Sequence, residues 1–369
     1  MTTLPLDRPD PVTPPGYADL APVARVTAAD GGPAWLVTAY DLVAAGLTDP
    51  RLGLVPPGVT VDERASLFRD GPEHDRLRRL VARAFTARRV ERLRPRVEAI
   101  VRERVAALVA AATTPGAPVD LVDVLAAPLA VATLGELLGV TLHERFRVLV
   151  EDALGADLGD PGAERVWGAL TGFTAELVAA ARAEPREDLL SALVAVRDAE
   201  DGRLSDGELV ALVTALLAAG VLTVRSGLAV AVVHLLRDGA LAGLAERPGA
   251  EVAAVVEDLV RRMGVEVFPR WAQQDLELGG VAIAAGERVL LRIEAANHDP
   301  ARTGPHLGFG RGPHHCLGAA LARLEVTAAL VELSRAAPGL RLAVPLAEVP
   351  WHRGEVDSGP LALPVLVDG

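Results

Sequence analysis

The longest apolar pattern in the chain follows a helix start signal near its middle. Ser205 and Glu208 lie three residues apart, as in a capping box, and an uncharged run over residues 209–224 follows them. The pattern predicts a helix that extends to about Leu236. A run of this length is also typical of a membrane span, but Arg225 interrupts it, and no basic clusters or aromatic belts flank it. We therefore expect a buried central helix in a protein that does not enter a membrane.

Helical periodicity also dominates the rest of the chain. The further predicted helices cover residues 74–112, 121–138, 143–154, 163–183, 186–198, 250–263 and 319–333. Such a series of long amphipathic segments is typical of a mainly α protein.

Short alternating segments predict a minor β part. Residues 23–27 and 34–38 flank Asp30-Gly31-Gly32, a sequence that is typical of a β-hairpin. Further short strands are expected at residues 276–283, at residues 288–293 and within the tail. Because no internal repeat or low-complexity linker interrupts the pattern, we predict a mainly α fold with a small β part, in one domain that covers residues 1–369.

Composition narrows the class of protein. Half of the residues are hydrophobic but only 3% are aromatic, so the core must consist of Leu, Val and Ala, which favour helices. The net charge of −12 argues against general nucleic-acid binding. The single cysteine excludes a disulfide framework, and the first 15 residues carry no basic-then-apolar signal pattern. We expect a cytoplasmic protein.

That single cysteine, Cys316, lies in a glycine-rich loop, Phe309-Gly310-Arg311-Gly312-Pro313-His314-His315-Cys316-Leu317-Gly318, directly before a predicted helix. The free N–H groups at a helix start and nearby cations stabilise a thiolate. One thiolate is a poor zinc site, but it suits a single axial bond to haem iron. On composition alone a lone cysteine is more often a small buried hydrophobe, and only the surrounding glycines, Phe309 and basic residues favour a ligand.

The loop resembles the haem-binding signature of the cytochrome P450 family. The residues in register are Phe309, Gly312, His314, Cys316 and Gly318. The resemblance extends over nearly the whole chain. It implies the cytochrome P450 fold, with a long central helix over haem b (iron protoporphyrin IX), the iron ligated by Cys316 and the cofactor contacted by Phe309, Gly310 and Gly318. It also implies a haem-thiolate oxidoreductase of the monooxygenase type.

Four basic side chains match the family's contacts to the haem propionates. His74 and Arg78 lie four residues apart on one helix face and resemble its early haem-contacting helix. Arg270 and His306 match further propionate contacts. Several cationic donors aimed at two carboxylates are sound chemistry for a buried dianion. Taken singly, the same residues also fit a solvated helix face, a surface arginine and a turn.

The predicted central helix carries Ala219-Gly220-Val221-Leu222-Thr223-Val224, which resembles the oxygen-binding groove of the family. The resemblance implies that Ala219 and Gly220 leave room for dioxygen and that Thr223 takes part in proton delivery. The alternative is an ordinary apolar helix with one threonine. Leu222 replaces the acidic residue that usually precedes the threonine, so we expect slow proton delivery, with peroxide leakage or peroxide as the oxidant.

Two further departures concern the residues that stabilise the family's core. The Glu-x-x-Arg pair reads here as Asp258 and Arg261, which still share a helix face, and Glu257 is an alternative partner four residues before Arg261. The connection that precedes His306 is shorter than usual. It normally carries an arginine that completes this network, and Arg302 is the local candidate.

Arg225 is an unusual residue in a very apolar helix. At about 100° per residue it points far from Thr223. We expect it to face another helix and to pair with a carboxylate. A catalytic or substrate-anchoring role is the alternative.

The resemblance also implies where substrate binds. The implied contacts are Leu216, Ala219, Thr223, Val267, Phe268 and Leu361. These residues are mostly apolar, so we expect a hydrophobic small molecule. Glu266 is the one charged candidate, and it either holds a basic substrate or is exposed to solvent.

A local excess of positive charge bears on the electron donor. Residues 72–104 contain eleven arginines and five acids, a net charge of +6 in an acidic protein. Such a patch would attract an acidic carrier such as a ferredoxin, although a solvated arginine-rich helix face explains it equally well.

The leading hypothesis is an enzyme that oxidises a biosynthetic intermediate of secondary metabolism. Hydroxylation, desaturation and radical coupling are all open, and the missing acid favours the last two more than is usual. The alternative is a catalytically impaired relative that binds or activates a partner enzyme such as a glycosyltransferase.

Overall fold

Helices make up most of the computed structural model, which describes residues 2–17, 19–60, 66–82, 85–112, 114, 116–142, 144–155, 163–198, 204–263, 266–353 and 358–367. The α-helices in these ranges are α1 (Tyr40–Gly46), α2 (Gly71–Ala82), α3 (Ala87–Ala111), α4 (Ala127–Leu138), α5 (Glu144–Gly155), α6 (Ala163–Ala183), α7 (Leu189–Asp198), α8 (Asp206–Arg237), α9 (Gly249–Arg262), α10 (Ile293–His298) and α11 (Ala319–Ala336). A π-helical turn, Val122–Ala126, precedes α4, and short 3-10 turns lie at Leu244–Glu246, Gly312–His314 and Leu346–Glu348. The predicted mainly α class is confirmed.

The strands form one larger sheet and three small ones. They are β1 (Thr2–Thr3), β2 (Val23–Thr27), β3 (Pro33–Val37), β4 (Leu52–Gly53), β5 (Val119–Asp120), β6 (Val267–Ala272), β7 (Leu276–Leu278), β8 (Val281–Ile283), β9 (Arg288–Arg292), β10 (Arg341–Leu342), β11 (Trp351–Arg353), β12 (Ser358–Pro360) and β13 (Pro364–Leu366). The larger sheet has the order β1-β2-β3-β9-β6-β4. β2 and β3 pair antiparallel, so the predicted hairpin is confirmed.

The long helix α8 begins where the capping box predicts. The Ser205 hydroxyl accepts a hydrogen bond from the Glu208 N–H at 3.0 Å, and the Ser205 N–H donates to Glu208 Oε2 at 2.9 Å. The Glu208 carboxylate also accepts from Arg76 on α2. This ion pair ties the start of the long helix to the helix that carries His74 and Arg78.

Several predicted helices have different limits. The pattern over residues 74–112 is two helices, because Thr86 starts α3 with its hydroxyl accepting from the Arg89 N–H at 3.2 Å. The segment predicted at 121–138 opens with the π-helical turn. The one predicted at 143–154 is α5, and position 143 lies outside the described residues.

Leucine, valine and alanine fill the core, as the low aromatic content predicts. α8 packs against α4, and α11 lies along α3. Fully burying one leucine side chain stabilises the folded state by about 1.5–3 kcal/mol, and many such side chains contribute at these helix interfaces. A Cβ atom at Gly220 would lie 3.2 Å from a Leu134 methyl group, so glycine allows α8 and α4 to approach closely.

One helix of the described chain, Asp206–Arg237, is long and apolar enough to span a membrane, and half of its most apolar stretch is buried in the protein. Val221 and Leu228 on this helix are fully buried. The packing of α8 against α4, α6 and α11 agrees with a central helix.

Candidate active site

The loop that carries Cys316 is held by its own backbone. The Cys316 N–H donates to the Phe309 carbonyl at 2.8 Å, and the Gly310 N–H donates to the Leu307 carbonyl at 2.8 Å. Gly310 and Gly312 have φ angles of 69° and 71°, in the left-handed region that glycine adopts without strain. The loop therefore positions Cys316 just before the first residue of α11.

Opposing effects act on the Cys316 thiol. Its surface is exposed, yet protein atoms crowd it, and this desolvation raises the pKa of Cys316. The backbone N–H groups of Gly318 and Ala319 and the cations Arg78 and Arg323 act in the opposite direction. The predicted helix start and cations are therefore present, but their effect on the pKa of Cys316 is smaller than that of desolvation. A bound metal cation would stabilise the thiolate fully.

Two histidine rings in contact join α2 to the cysteine loop. The rings of His74 and His314 lie 4.2 Å apart, and His74 is 1% exposed. Burial and the neighbouring His314 lower the pKa of His74. Nδ1 of His74 is 3.2 Å from Asp75 Oδ1, and its buried Nε2 has no hydrogen-bond partner within the described residues. The Nε2 of His74 is thus the ring nitrogen available to a ligand, and it donates to a carboxylate when it carries a proton.

Two arginines lie close to this pair and donate to neutral acceptors. Arg78 on α2 donates to the His315 carbonyl. Arg270 on β6 is 3% exposed, donates to the Pro269 carbonyl at 2.8 Å, and has its pKa lowered by burial. A guanidinium that is buried against a carbonyl is stabilised further when an anion approaches it.

Asp70 is the nearby carboxylate that acts on Arg270. It accepts from His314 Nε2 at 2.8 Å and from the Leu54 N–H at 2.6 Å. Burial alone would raise the pKa of Asp70, but these hydrogen bonds outweigh burial and lower it. Because Asp70 already accepts these hydrogen bonds, it compensates the positive charge of the basic cluster only in part.

The donor set fits a haem group. A thiol lies next to Arg78, and His74, His314 and Arg270 form a buried basic cluster close to the same loop. An unpartnered ring nitrogen and a desolvated guanidinium are the groups that two propionates would satisfy. His314, which the sequence analysis left out of the propionate contacts, belongs to this cluster. Its place two residues before Cys316 was the available signal.

His306 does not join the basic cluster, contrary to expectation. Its Nδ1 accepts from the Gly308 N–H at 3.2 Å, and its Nε2 lies 2.9 Å from Glu257 Oε2. Arg323 also donates to Glu257, at 2.9 Å to Oε2, and its guanidinium lies 4.4 Å from the centre of the Phe309 ring. Hydrogen bonds from Arg323 and His306 lower the pKa of Glu257 to about 2. The structure therefore pairs His306 with a carboxylate of the protein.

The shortened Glu-x-x-Arg pair remains an ion pair. Arg261 donates to Asp258 Oδ1 at 2.8 Å, so Glu257 is not its partner. Buried Asn297 links this helix to the loop before Cys316. It donates to the Arg261 carbonyl at 3.1 Å and accepts from the Leu307 N–H at 2.7 Å.

Arg302, the residue that we expected to complete this network, donates instead to the Gly304 carbonyl. Both residues lie on the loop before Cys316, so the bond is local. The amide of Asn297 thus makes the connection that the arginine was expected to make.

The middle of α8 presents an open face. Ala219 and Thr223 are exposed and Leu216, Gly220 and Leu222 are partly exposed, although the helix is mostly buried. The Thr223 hydroxyl donates to the Ala219 carbonyl one turn earlier, at 2.7 Å. The roles of these residues at a bound oxygen molecule stay predictions.

Among the implied substrate contacts, Leu361 is exposed, Phe268 is partly buried and Val267 is buried. Leu361 is 53% exposed, whereas Val267 is buried in a cluster with Val26 and Leu290. Alternating strand residues point to opposite faces, so Phe268 faces the cysteine loop, and a Cβ at Gly310 would lie 3.8 Å from its ring.

Glu266 is neither exposed nor free to bind a basic substrate. Its carboxylate is 3.0 Å from Arg8 Nη2 and 2.9 Å from Arg292 Nη2, and its side chain is 14% exposed. Glu294 and Tyr17 complete the cluster. The glutamate therefore ties the amino-terminal segment to the sheet.

Arg225 also differs from expectation. Its Nη2 donates to the Leu361 carbonyl at 3.1 Å, and no carboxylate contacts it in the part of the chain that the structure describes. The arginine thus faces the strand end that carries an implied substrate contact, and not another helix.

Known bacterial oxidases are similar to this chain along nearly its full length. It is 40% identical over 377 residues to the mycinamicin IV hydroxylase/epoxidase of Micromonospora griseorubida, covering 94% of this chain and 92% of the relative. It is 36% identical over 379 residues to the cytochrome P450 monooxygenase PikC of Streptomyces venezuelae, covering 95% and 90%. The crystal structure of CYP105P1 in complex with filipin I matches with a TM-score of 0.89 and 36% identity, covering 100% of this chain and 99% of the other. No protein-family model matches the chain.

Proposed function

The chain belongs to the cytochrome P450 family, and from this premise we propose that it oxidises a mid-sized hydrophobic intermediate of secondary metabolism. It is an oxidoreductase of the monooxygenase type, and family membership implies a haem cofactor. We further propose that the whole chain forms one domain and that the cofactor is haem b with Cys316 as its iron ligand. The reaction is hydroxylation, desaturation or radical coupling.

The observation that carries the proposal is the juxtaposition of the thiol and the basic cluster. Arg78 lies close to Cys316, and His74, His314 and Arg270 lie next to the same loop. When bound, haem supplies oxygen activation at iron, which thiolate donation favours. The basic residues would hold its carboxylates, and Phe309 and Gly318 would lie beside the ligand.

The long helix supplies the opposite wall of the site. Ala219 leaves space along the exposed face of α8, whereas the Cβ position of Gly220 faces Leu134 of α4, contrary to the expected role of Gly220. The Thr223 hydroxyl lies on the exposed face, where it can hold a water or pass a proton. Leu222 provides no carboxylate for that task. We therefore propose slow proton delivery, with dioxygen or peroxide as the oxidant.

The apolar residues on this face support a hydrophobic substrate. Leu216 and Leu222 are partly exposed on α8, and Leu361 is exposed in the segment that directly follows β12. One of the relatives is a mycinamicin IV hydroxylase/epoxidase. We propose a substrate of comparable class without specifying its identity.

A ferredoxin is the electron donor that the charge distribution favours. Arg88 and Arg92 at the start of α3 and Arg311 and His315 in the cysteine loop are exposed. This surface would attract an acidic carrier to the side of Cys316. We propose a cytoplasmic location with α8 as a core helix.

A reduced, carbon-monoxide-treated spectrum tests the proposal. We expect a Soret band at the thiolate position after haem supplementation. A colourless protein, or a band at the position of a neutral ligand, would overturn the assignment and favour the alternative of a non-catalytic helper. The relatives and the intact cluster around Cys316 favour the enzyme.

A further inference from the structure

Most partly buried arginines in the described ranges are paired with carboxylates. The examples are Arg8, Arg76, Arg261, Arg262, Arg292 and Arg323. Arg78 and Arg270 instead donate to backbone carbonyls, and these are the cations placed to receive haem propionates. A guanidinium held against a neutral acceptor near a binding site is therefore the feature that marks an anion-binding position here.

Arg225 on α8 shares this feature. Its Nη2 donates to the Leu361 carbonyl, and its buried Nε has no hydrogen-bond partner within the described residues. Arg302 is also bonded to a carbonyl, but that carbonyl belongs to its own loop, on Gly304, far along the chain from α8. Most N–H donors of Arg225 therefore remain available to a ligand, and no carboxylate of the described residues compensates its charge.

The helix geometry places Arg225 beside Leu222, just beyond the edge of the open face and on the side away from Thr223. Leu222 and Arg225 are three residues apart, which is about 60° around the helix axis, and Leu222 is partly exposed on that face. The partner strand is fixed at the same level, because a Cβ at Gly359 would lie 2.7 Å from Ser226 Cβ. The guanidinium is therefore held beside exposed Leu361, at the boundary between α8 and the strand β12.

We propose that Arg225 binds a carboxylate of the substrate, so that the enzyme selects hydrophobic molecules that carry a carboxylic acid. The planar guanidinium offers a two-pronged donor that matches a carboxylate, while Leu222 and Leu361 contact the apolar body. The inference rests on the proposed function and specifies its substrate class.

Matched probes test this inference without knowledge of the substrate. Octanoic, decanoic and dodecanoic acids with a terminal imidazole are compared with their uncharged primary amides, by titration of the Soret band. The imidazole shifts the Soret band when a probe binds at the haem. Three chain lengths are compared so that one of them can place its carboxylate at Arg225. We expect the best-fitting acid to bind about tenfold more tightly than its amide.

Three variants sharpen the test. Arg225→Met keeps the apolar stem and should abolish the preference for acid over amide, whereas Arg225→Lys should retain part of it. Arg237→Met is the matched control, because Arg237 lies on the same helix and has the carboxylates Asp10 and Asp238 as neighbours. It should keep the full preference.

Equal binding of acid and amide by the unmodified protein, or a preference that persists in Arg225→Met, overturns the inference. Failure of the proposed function is distinguishable, because neutral 4-phenylimidazole would then also leave the spectrum unchanged. In that case the thermal shift produced by each acid and amide in the haem-free protein decides the question, with the same expected order.

Discussion

The two sides of the site are built by different means. On the side of Cys316, charged groups from α2, β6, α9 and α11 converge on one loop, and each is held by specific partners. On the side of Thr223, one helix presents an apolar face with a hydroxyl that bonds to its own backbone. The difference teaches that the proposed cofactor site rests on many anchored groups, whereas the proposed proton handling and substrate choice depend on a few positions along α8.

The largest effect is expected from removing the thiol. Cys316→Ser leaves the loop backbone intact, since the closing bond is made by the N–H of residue 316, but a neutral hydroxyl cannot replace a thiolate donor. We expect complete loss of the thiolate Soret band after reduction and carbon monoxide treatment, and turnover at background level. His315→Gln, at the adjacent position, should keep the band. A thiolate-type spectrum in Cys316→Ser would show that the iron ligand lies elsewhere.

The basic cluster predicts which cations retain haem. Arg270→Met removes a buried donor and should speed haem transfer to apomyoglobin on the order of tenfold. His306→Gln is the informative comparison. The resemblance assigns His306 to a propionate, while the structure pairs it with Glu257.

We therefore expect His306→Gln to change the haem transfer rate by less than about twofold, because a hydrogen bond to a partly exposed carboxylate contributes little. Equally fast haem loss in both variants would restore His306 as a propionate contact and contradict the structure.

Local signals in the sequence predicted the parts of the fold that depend on neighbouring residues. The capping box at Ser205, the β2–β3 hairpin and the glycine-rich loop are encoded within a few residues, and all three are present. Partnerships between distant segments were not predictable in this way. Arg8 bonds to Glu294, which is 286 residues away, and no periodicity links the two positions.

The same reason explains the misassigned site residues. The resemblance placed His306 and Arg302 by their order along the chain, but their partners depend on which carboxylate or carbonyl the folded chain brings near. The resemblance also placed both Val267 and Phe268 at the substrate, although strand alternation sends the two side chains to opposite faces.

The apolar side can be tested by restoring the acid. Leu222→Glu adds a carboxylate one residue before Thr223 and should raise oxygen-dependent turnover roughly tenfold, with less peroxide released per reducing equivalent. The measurement uses a surrogate ferredoxin and its reductase. Leu222→Gln adds similar volume and polarity without an ionisable group and should leave both quantities unchanged. If the two variants behave alike, proton supply does not limit the reaction.

The smallest effect concerns a buried acid behind the cysteine side. Glu325 on α11 is 3% exposed, its Oε2 has no hydrogen-bond partner within the described residues, and Thr133 on α4 is its polar neighbour. Burial raises the pKa of Glu325 from 4.5 to about 8. Because the folded state holds the proton more tightly than the unfolded state, the contribution of Glu325 to stability is greatest below pH 4.5 and is lost as the pH rises through 8.

Glu325→Gln removes this dependence, since an amide does not ionise. The melting temperature of the variant minus that of the unmodified protein should therefore increase between pH 4.5 and 8 and then level off. The two pKa values set an upper bound of roughly 5 kcal/mol, and we expect a change of only a few degrees, because water that enters on ionisation reduces the cost. A difference that is constant with pH would mean that the pKa of Glu325 is not raised in the folded protein.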